Sequence, residues 1–365
     1  MRWIAAFMLA LAIAARVASG EQQQGCGCAA GTNRASAMRN LAQSQVATPD
    51  ENSEASCVAG DVEIEARSAA DEDMVLLPGG VFTMGTDSPK IPSDGESPAR
   101  KVRVSPFLLH RLEVSVADFE RFVRATGHVT EAESFGWSFC FIKTLSAATL
   151  ATVDKQVDSV PWWVPVAGAD WAHPNGPDSA AAADGPVTHV SHNDARAYCV
   201  WAGLRLPREA EFEFAMRGGL ENTSYPWGEE LTPGGAHRAN LWQGVFPETN
   251  LVQDGFAWTA PVTAFGPQNA FGLHNIVGNV WEWVADAWVA DHARYVPADG
   301  AALVDPQVEL HGQLESRTVE RVKRGGSYMC HESYCFRYRT ASRSHNSADS
   351  SAQNLGFRCA GDPAE

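Results

Sequence analysis

From Met74 to about Gly361, apolar residues come in short pieces, each interrupted by glycine, proline, asparagine or aspartate before it grows long. A chain written this way builds turns, short strands and irregular loops rather than a long helical bundle or a broad sheet. Its core must then come from large side chains set among the loops. Eleven of the twelve tryptophans lie in this stretch, among them Trp162, Trp163, Trp281 and Trp283. Each indole buries a large area while its N–H can reach a backbone acceptor. Three helices are legible from their caps. Ser115 with Asp118 forms a capping-box pattern ahead of Phe119, Phe122 and Val123. Ser191 with Asp194 repeats it ahead of Ala195, Tyr198, Cys199 and Ala202, and Gly203 closes that helix. Pro207 opens a third, which runs through Phe212 and Phe214 to Gly218-Gly219. The expectation is one loop-rich α+β domain over residues 74–362.

The chain before it reads differently. Arg2, the apolar run from Trp3 to Ala15 and the small residues Ala18-Ser19-Gly20 form a secretory signal peptide over residues 1–20. That run is shorter than the ~20 residues of a bilayer span, and no later segment is apolar enough, so no membrane span is expected. Residues 21–73 are rich in Gln, Ala, Ser, Asp and Glu and poor in aromatics. Such a segment cannot offset its ordering entropy, and a disordered arm is expected. The net charge of −16 argues against nucleic-acid binding through a basic face.

The leader predicts an oxidising lumen, which makes the eight cysteines informative: Cys26, Cys28, Cys57, Cys140, Cys199, Cys330, Cys335 and Cys359. Four disulfides are the plain expectation, with connectivity left open. The sequon Asn222-Thr223-Ser224 is compatible with glycosylation there. The densest chemistry lies between Gly325 and Arg339. Cys330 and Cys335 admit two readings, a small structural disulfide or a thiolate pair for a soft metal. Two thiolates with few other donors suit Cu(I), whereas Zn(II) recruits four ligands. The Ser, His, Tyr and Arg residues around them add polar groups able to hold oxygen or a substrate thiol.

The segment Gly325-Gly326-Ser327-Tyr328-Met329-Cys330-His331-Glu332-Ser333-Tyr334-Cys335, with Asn354-Leu355-Gly356-Phe357-Arg358-Cys359 after it, closely resembles the C-terminal signature of formylglycine-generating enzymes, the sulfatase-modifying factors. The resemblance extends to Gly80-Val81-Phe82-Thr83-Met84-Gly85-Thr86, Pro161-Trp162-Trp163, Trp201-Ala202-Gly203-Leu204-Arg205-Leu206-Pro207 and Asn275-Ile276-Val277-Gly278-Asn279-Val280-Trp281-Glu282-Trp283. It implies a fold related to C-type lectin-like domains, and Cu(I) bound between Cys330 and Cys335. The implied reaction is oxidation by O2 of a cysteine in a Cys-x-Pro-x-Arg segment of unfolded sulfatases. Ser327 and Tyr334 match positions near the family's oxygen pocket. His331 and Trp281 match positions lining the site, and Glu113 matches an acidic position near the substrate groove.

The resemblance also implies two structural calcium sites. Asn240 and Asp254 with the carbonyls of Leu241 and Phe256 match the first; Asn275 and Glu282 with the carbonyls of Gly278 and Val280 match the second. Such sets suit calcium because it takes six to eight oxygens. Cys199 and Cys359 match one family disulfide. The positions of a second correspond to Met216 and Thr340, so that staple is absent. Cys57 and Cys140 have no family counterpart. Cys26 and Cys28 match amino-terminal cysteines that form mixed disulfides, which implies retention in the endoplasmic reticulum lumen through a thioredoxin-like partner, with part of the protein secreted. The tail Asp362-Pro363-Ala364-Glu365 is no retention signal. Two other readings compete: a catalytically silent sulfatase-binding paralogue, against which the cysteine pair argues, and a lectin-like calcium-dependent binding module.

Overall fold

The computed structural model describes residues 73–292, 297, 299–308 and 319–364. The leader, the arm through residue 72, and Cys26, Cys28 and Cys57 lie outside the described residues. In chain order the elements are β1 (Met74–Leu77), β2 (Gly80–Met84), β3 (Arg100–Val104), β4 (Phe107–His110), α1 (Val116–Thr126), α2 (Glu131–Phe135), β5 (Trp137–Phe141), α3 (Ala147–Leu150), β6 (Trp163–Ala167), α4 (His192–Trp201) and α5 (Glu209–Arg217). Then follow β7 (Trp281–Ala287), β8 (Leu303–Val304), β9 (Glu320–Arg324), β10 (Ser344–Ser347), β11 (Leu355–Phe357) and β12 (Ala360–Gly361). Between α5 and β7 the chain is almost wholly turns and loops.

Alternation fixes the faces of the outer strands. In β3, Val102 and Val104 are buried while Lys101 and Arg103 face solvent, the period of two that a one-sided strand requires. The central strand is different. In β7 every residue but Ala285 is buried, because it pairs antiparallel with β9 and parallel with β11 in the order β10-β9-β7-β11. A second sheet has the order β1-β4-β12, so the last strand closes on the fourth, with Ala360 opposite Leu109. The remaining sheets are β2-β3-β8 and the hairpin-like pair β5-β6.

The capping boxes form as expected at two helices. Ser115 Oγ accepts the Asp118 N–H at 3.1 Å, and Ser191 Oγ accepts that of Asp194 at 3.0 Å, with each aspartate returning a bond to its cap. Phe119 and Tyr198 from the two helices meet Phe357 of β11, which joins helices to sheet. The third helix starts later than Pro207. The Pro207 carbonyl is drawn to the Ala285 N–H at 2.9 Å, and Arg208 becomes the cap, its N–H bound by Glu211 at 2.7 Å. The short helix α2 escaped the sequence reading although Thr130 and Glu133 form a full capping box. The tryptophans are core groups in part as expected. Trp283 Nε1 donates to the Val190 carbonyl at 3.1 Å, but Trp163, Trp242 and Trp281 keep buried N–H groups without a partner.

Cys199 and Cys359 are joined, Cα atoms 5.7 Å apart, tying α4 to the link between β11 and β12. Where the second staple is absent, Met216 is fully buried, and Thr340 gives its N–H to the Ser224 carbonyl at 2.9 Å and its hydroxyl to that of Thr223. Cys140 is a free buried thiol whose Sγ lies 3.5 Å from the Pro174 carbonyl. Among the described residues no helix is long and apolar enough to cross a membrane.

Candidate active site

Strand β9 delivers the chain to the site through two left-handed glycines, Gly325 and Gly326, at φ 91° and 77°. A Cβ on Gly326 would stand 3.0 Å from that of Tyr338, so the turn needs glycine on both counts. Beyond it Ser327 to Cys335 winds into tight turns: the Cys330 N–H bonds the Ser327 carbonyl at 2.8 Å, and those of Tyr334 and Cys335 converge on the His331 carbonyl at 3.0 and 2.7 Å. This folding brings Cys330 and Cys335 together, Cα atoms 4.7 Å apart, both fully buried, and the structure carries them as a disulfide. The Ser327 N–H lies 3.4 Å from Cys330 Sγ.

The expected neighbours gather here. Ser327 Oγ accepts from Asn354 Nδ2 at 2.9 Å and from the Met329 N–H at 3.4 Å. The Asn354 carbonyl also accepts the backbone N–H of Trp281 at 2.8 Å, so one residue ties the serine to the start of β7. The sequence reading quoted Asn354 within a motif but assigned it no role; an Asn directly before Leu355-Gly356-Phe357 was the available signal. Tyr334 stacks on Phe246 at 4.1 Å between ring centroids and accepts the Trp162 indole N–H at 3.2 Å. His331 is half-buried, with Nδ1 2.8 Å from Ser333 Oγ. It lines, with Glu332, Trp242 and Tyr338, a cavity of about 290 Å³ beside the cysteine loop.

Two acids far back in the chain hold the loop's exit. Asp94 takes Arg337 through both oxygens at 2.5 and 2.9 Å, and Glu96 takes Arg339 at 2.5 and 3.2 Å. All four are buried. Sequence reasoning missed both acids because nothing local marks a partner 243 residues away.

The structure does not bring Glu113 to the cysteines. It lines a separate cavity of about 690 Å³ and none of the cavity beside them. Its carboxylate accepts from Asn275 at 3.1 Å and Asn279 at 2.9 Å, and burial pushes its pKa up to about 8. Two amides close in the carboxylate at the wall of that separate cavity.

The candidate cation sites can be judged by their donors. Asn240 Oδ1 is buried without a partner, and Asp254 is turned inward by the N–H groups of Leu241 and Phe256, each at 3.0 Å. The Gln243 amide bridges Asp254 and the Leu241 carbonyl. This all-oxygen set fits calcium. At the second site Asn275 Oδ1 is likewise buried and unpartnered. Glu282, however, is clasped by Arg358 through both oxygens at 2.7 Å. The Arg358 guanidinium already balances the Glu282 carboxylate, so among these side chains only the Asn275 oxygen is left without a partner. Among the described residues no three His, Cys, Asp or Glu side chains converge as a metal cluster.

Two buried, vicinal sulfurs ringed by serine, tyrosine, histidine and indole, on a loop-rich α+β frame, define a thiol-centred site in a C-type lectin-like fold. The solved structure of PvdO from Pseudomonas aeruginosa shares that fold, with a TM-score of 0.53 and 25 % identity over 80 % of this chain and 94 % of that one. Residues 59–363 match the FGE-sulfatase family, the sulfatase-modifying factor enzyme 1-like domain, and the chain belongs to that family. It is 55 % identical to the formylglycine-generating enzyme of Mus musculus over 291 residues, 79 % of this chain and 75 % of the mouse protein. It is 52 % identical to that of Thermomonospora curvata over 309 residues, 83 % of this chain and 98 % of the bacterial one.

Proposed function

We propose that this chain converts one cysteine of a Cys-x-Pro-x-Arg segment in newly made sulfatases to formylglycine, with Cys330 and Cys335 as its working thiols. The observation that carries the reading is the fully buried pair itself, set in the family's own domain. Two external thiols open the Cys330–Cys335 bond, leaving two protein thiols and one external disulfide. The freed sulfurs, with no third His, Cys, Asp or Glu ligand converging among the described residues, suit a soft monovalent copper. Such an ion, when bound, supplies a place where O2 can take up electrons. Overall, the substrate cysteine thiol, O2 and a further two external thiols give the aldehyde, hydrogen sulfide, water and an external disulfide.

The residues around the sulfurs orient and donate. Ser327 Oγ already accepts two N–H groups, so its own hydrogen remains for a reacting oxygen or sulfur. Tyr334 adds a second hydroxyl, its oxygen accepting from Trp162. The half-buried His331 can carry a proton between this interior and solvent. Two calcium ions at the Asn240 and Asn275 sites stabilise the loops by mass action. The leader, the sequon at Asn222, and Cys26 and Cys28 as the link to a thioredoxin-like partner support a place in the endoplasmic reticulum lumen.

Mass spectrometry of a Cys-x-Pro-x-Arg peptide, incubated with reduced, Cu(I)-loaded protein and O2, tests this. The expected product is the aldehyde, and Cys335→Ser should lower its yield at least ~100-fold. Equal yields from variant and wild type would remove Cys335 from the mechanism. Unaltered peptide that still binds would favour the silent paralogue. Calcium has its own check: a chelator should lower Tm, and calcium alone should restore it.

A further inference from the structure

Ser327 is fully buried, and its hydroxyl meets two donors among the described residues, Asn354 Nδ2 at 2.9 Å and the Met329 N–H at 3.4 Å. The amide supplies the short bond, and the turn of the loop only a long one. A serine hydroxyl accepts through two lone pairs and donates one hydrogen, rotating to suit its partners. With both acceptor positions filled, the hydrogen is left for a third direction. The Ser327 backbone N–H lies 3.4 Å from Cys330 Sγ, so the hydroxyl belongs to a residue already in contact with the sulfur pair.

The backbone around Asn354 is held without help from its side chain. The Gln353 N–H bonds the Phe139 carbonyl at 3.0 Å, the Asn354 carbonyl takes the Trp281 backbone N–H at 2.8 Å, and the Leu355 N–H reaches the Ala352 carbonyl at 3.2 Å. Gln353 adds a side-chain lock, its Oε1 accepting the Phe141 N–H at 2.8 Å. Leu355 then enters β11 opposite Trp281 of β7. The Asn354 amide, itself buried, is thus not needed to fix the chain. Among the described residues its one side-chain hydrogen bond goes to Ser327.

We propose that Asn354 is a positioning residue that holds the Ser327 hydroxyl as a hydrogen donor toward the reacting oxygen or sulfur. The inference rests on the function proposed above and adds to it the group that sets the direction of the serine. An ionised aspartate of the same shape only accepts, so it would draw the serine hydrogen to itself and away from the reacting atoms. Loss of one preorganised donor typically costs about 100–1000-fold in kcat, which bounds what a misdirected hydroxyl can cost.

Two measurements test this, one of them without copper. In copper-free, reduced full-length protein carrying isotope-labelled asparagine, the Asn354 side-chain amide is the NMR signal lost in Asn354→Asp. Ser327→Ala should move that signal upfield, because the amide hydrogen loses its acceptor. A signal that stays in place shows that the amide does not donate to Ser327, and overturns the role. In the Cu(I)-loaded protein, Asn354→Asp should lower kcat for aldehyde formation at least ~10-fold while the KM of the Cys-x-Pro-x-Arg peptide stays close to wild type. In a Ser327→Ala background the same change should cost nothing further, since both act through one hydroxyl. Should the buried carboxylate prevent folding, Asn354→Ala serves instead: it removes the donor without adding charge and should show the same dependence on Ser327. Asn354→Asp at the wild-type kcat, or losses that simply add in the double variant, overturn the role of Asn354 and leave the proposed function standing. Wild-type protein that yields no aldehyde overturns both.

Discussion

At the scale of single residues, the site is built from groups whose polarity is only partly spent. Ser327 and Tyr334 accept hydrogen bonds, Ser327 retains a hydrogen to donate, and Trp281 keeps a buried indole N–H without a partner. Away from the site, one buried acid gives a pH signature. Asp286 accepts the N–H groups of Glu209 at 2.7 Å and Val308 at 2.9 Å, yet burial, with the charge of Glu209 adding to it, pushes its pKa from 3.8 up to about 7. Folding thus takes up a proton across that interval. The contribution of Asp286 is fully present below the unfolded value and is lost as pH rises through the folded one, at up to about 1.4 kcal/mol per pH unit. The Tm advantage of wild type over Asp286→Asn should accordingly shrink between pH 5 and pH 8. A difference that stays constant across that range would show that Asp286 is ionised throughout.

Among the elements, the helices show what local sequence can specify. Ser191→Ala removes an acceptor for the first turn of α4 and should cost about 1 kcal/mol in urea unfolding; a loss below a few tenths would mean water replaces the hydroxyl. Capping boxes at Ser115 and Ser191 were readable because each is complete within four residues. The one at Thr130 was equally readable and passed over. The start of α5 was misplaced at Pro207 because a long-range bond to Ala285 overrode the usual preference of proline for a first turn. The cysteine loop was legible as a motif, but its anchors Asp94 and Glu96 were not, since only the folded chain sets them beside Arg337 and Arg339. For Glu113, a motif position says which residue, while its partners Asn275 and Asn279 are set beside it only in the folded chain.

For the whole molecule, the Cys199–Cys359 bridge spans 160 residues and joins α4 to the link between β11 and β12. Replacing both cysteines by alanine should lower the unfolding free energy by about 2–4 kcal/mol, and an unchanged denaturation midpoint would make the bridge incidental. The closing of β12 on β4 and the grip of Asp94 on Arg337 carry a consequence for biosynthesis. A polypeptide leaving the ribosome holds its fourth strand and its anchoring aspartate early, then must wait for almost all the remaining sequence before either finds its mate. Until that moment Leu109 lies beside an unfilled edge and the reactive loop has no framework. The cysteine loop and its anchors therefore come together only once residues 337–361 have joined the chain.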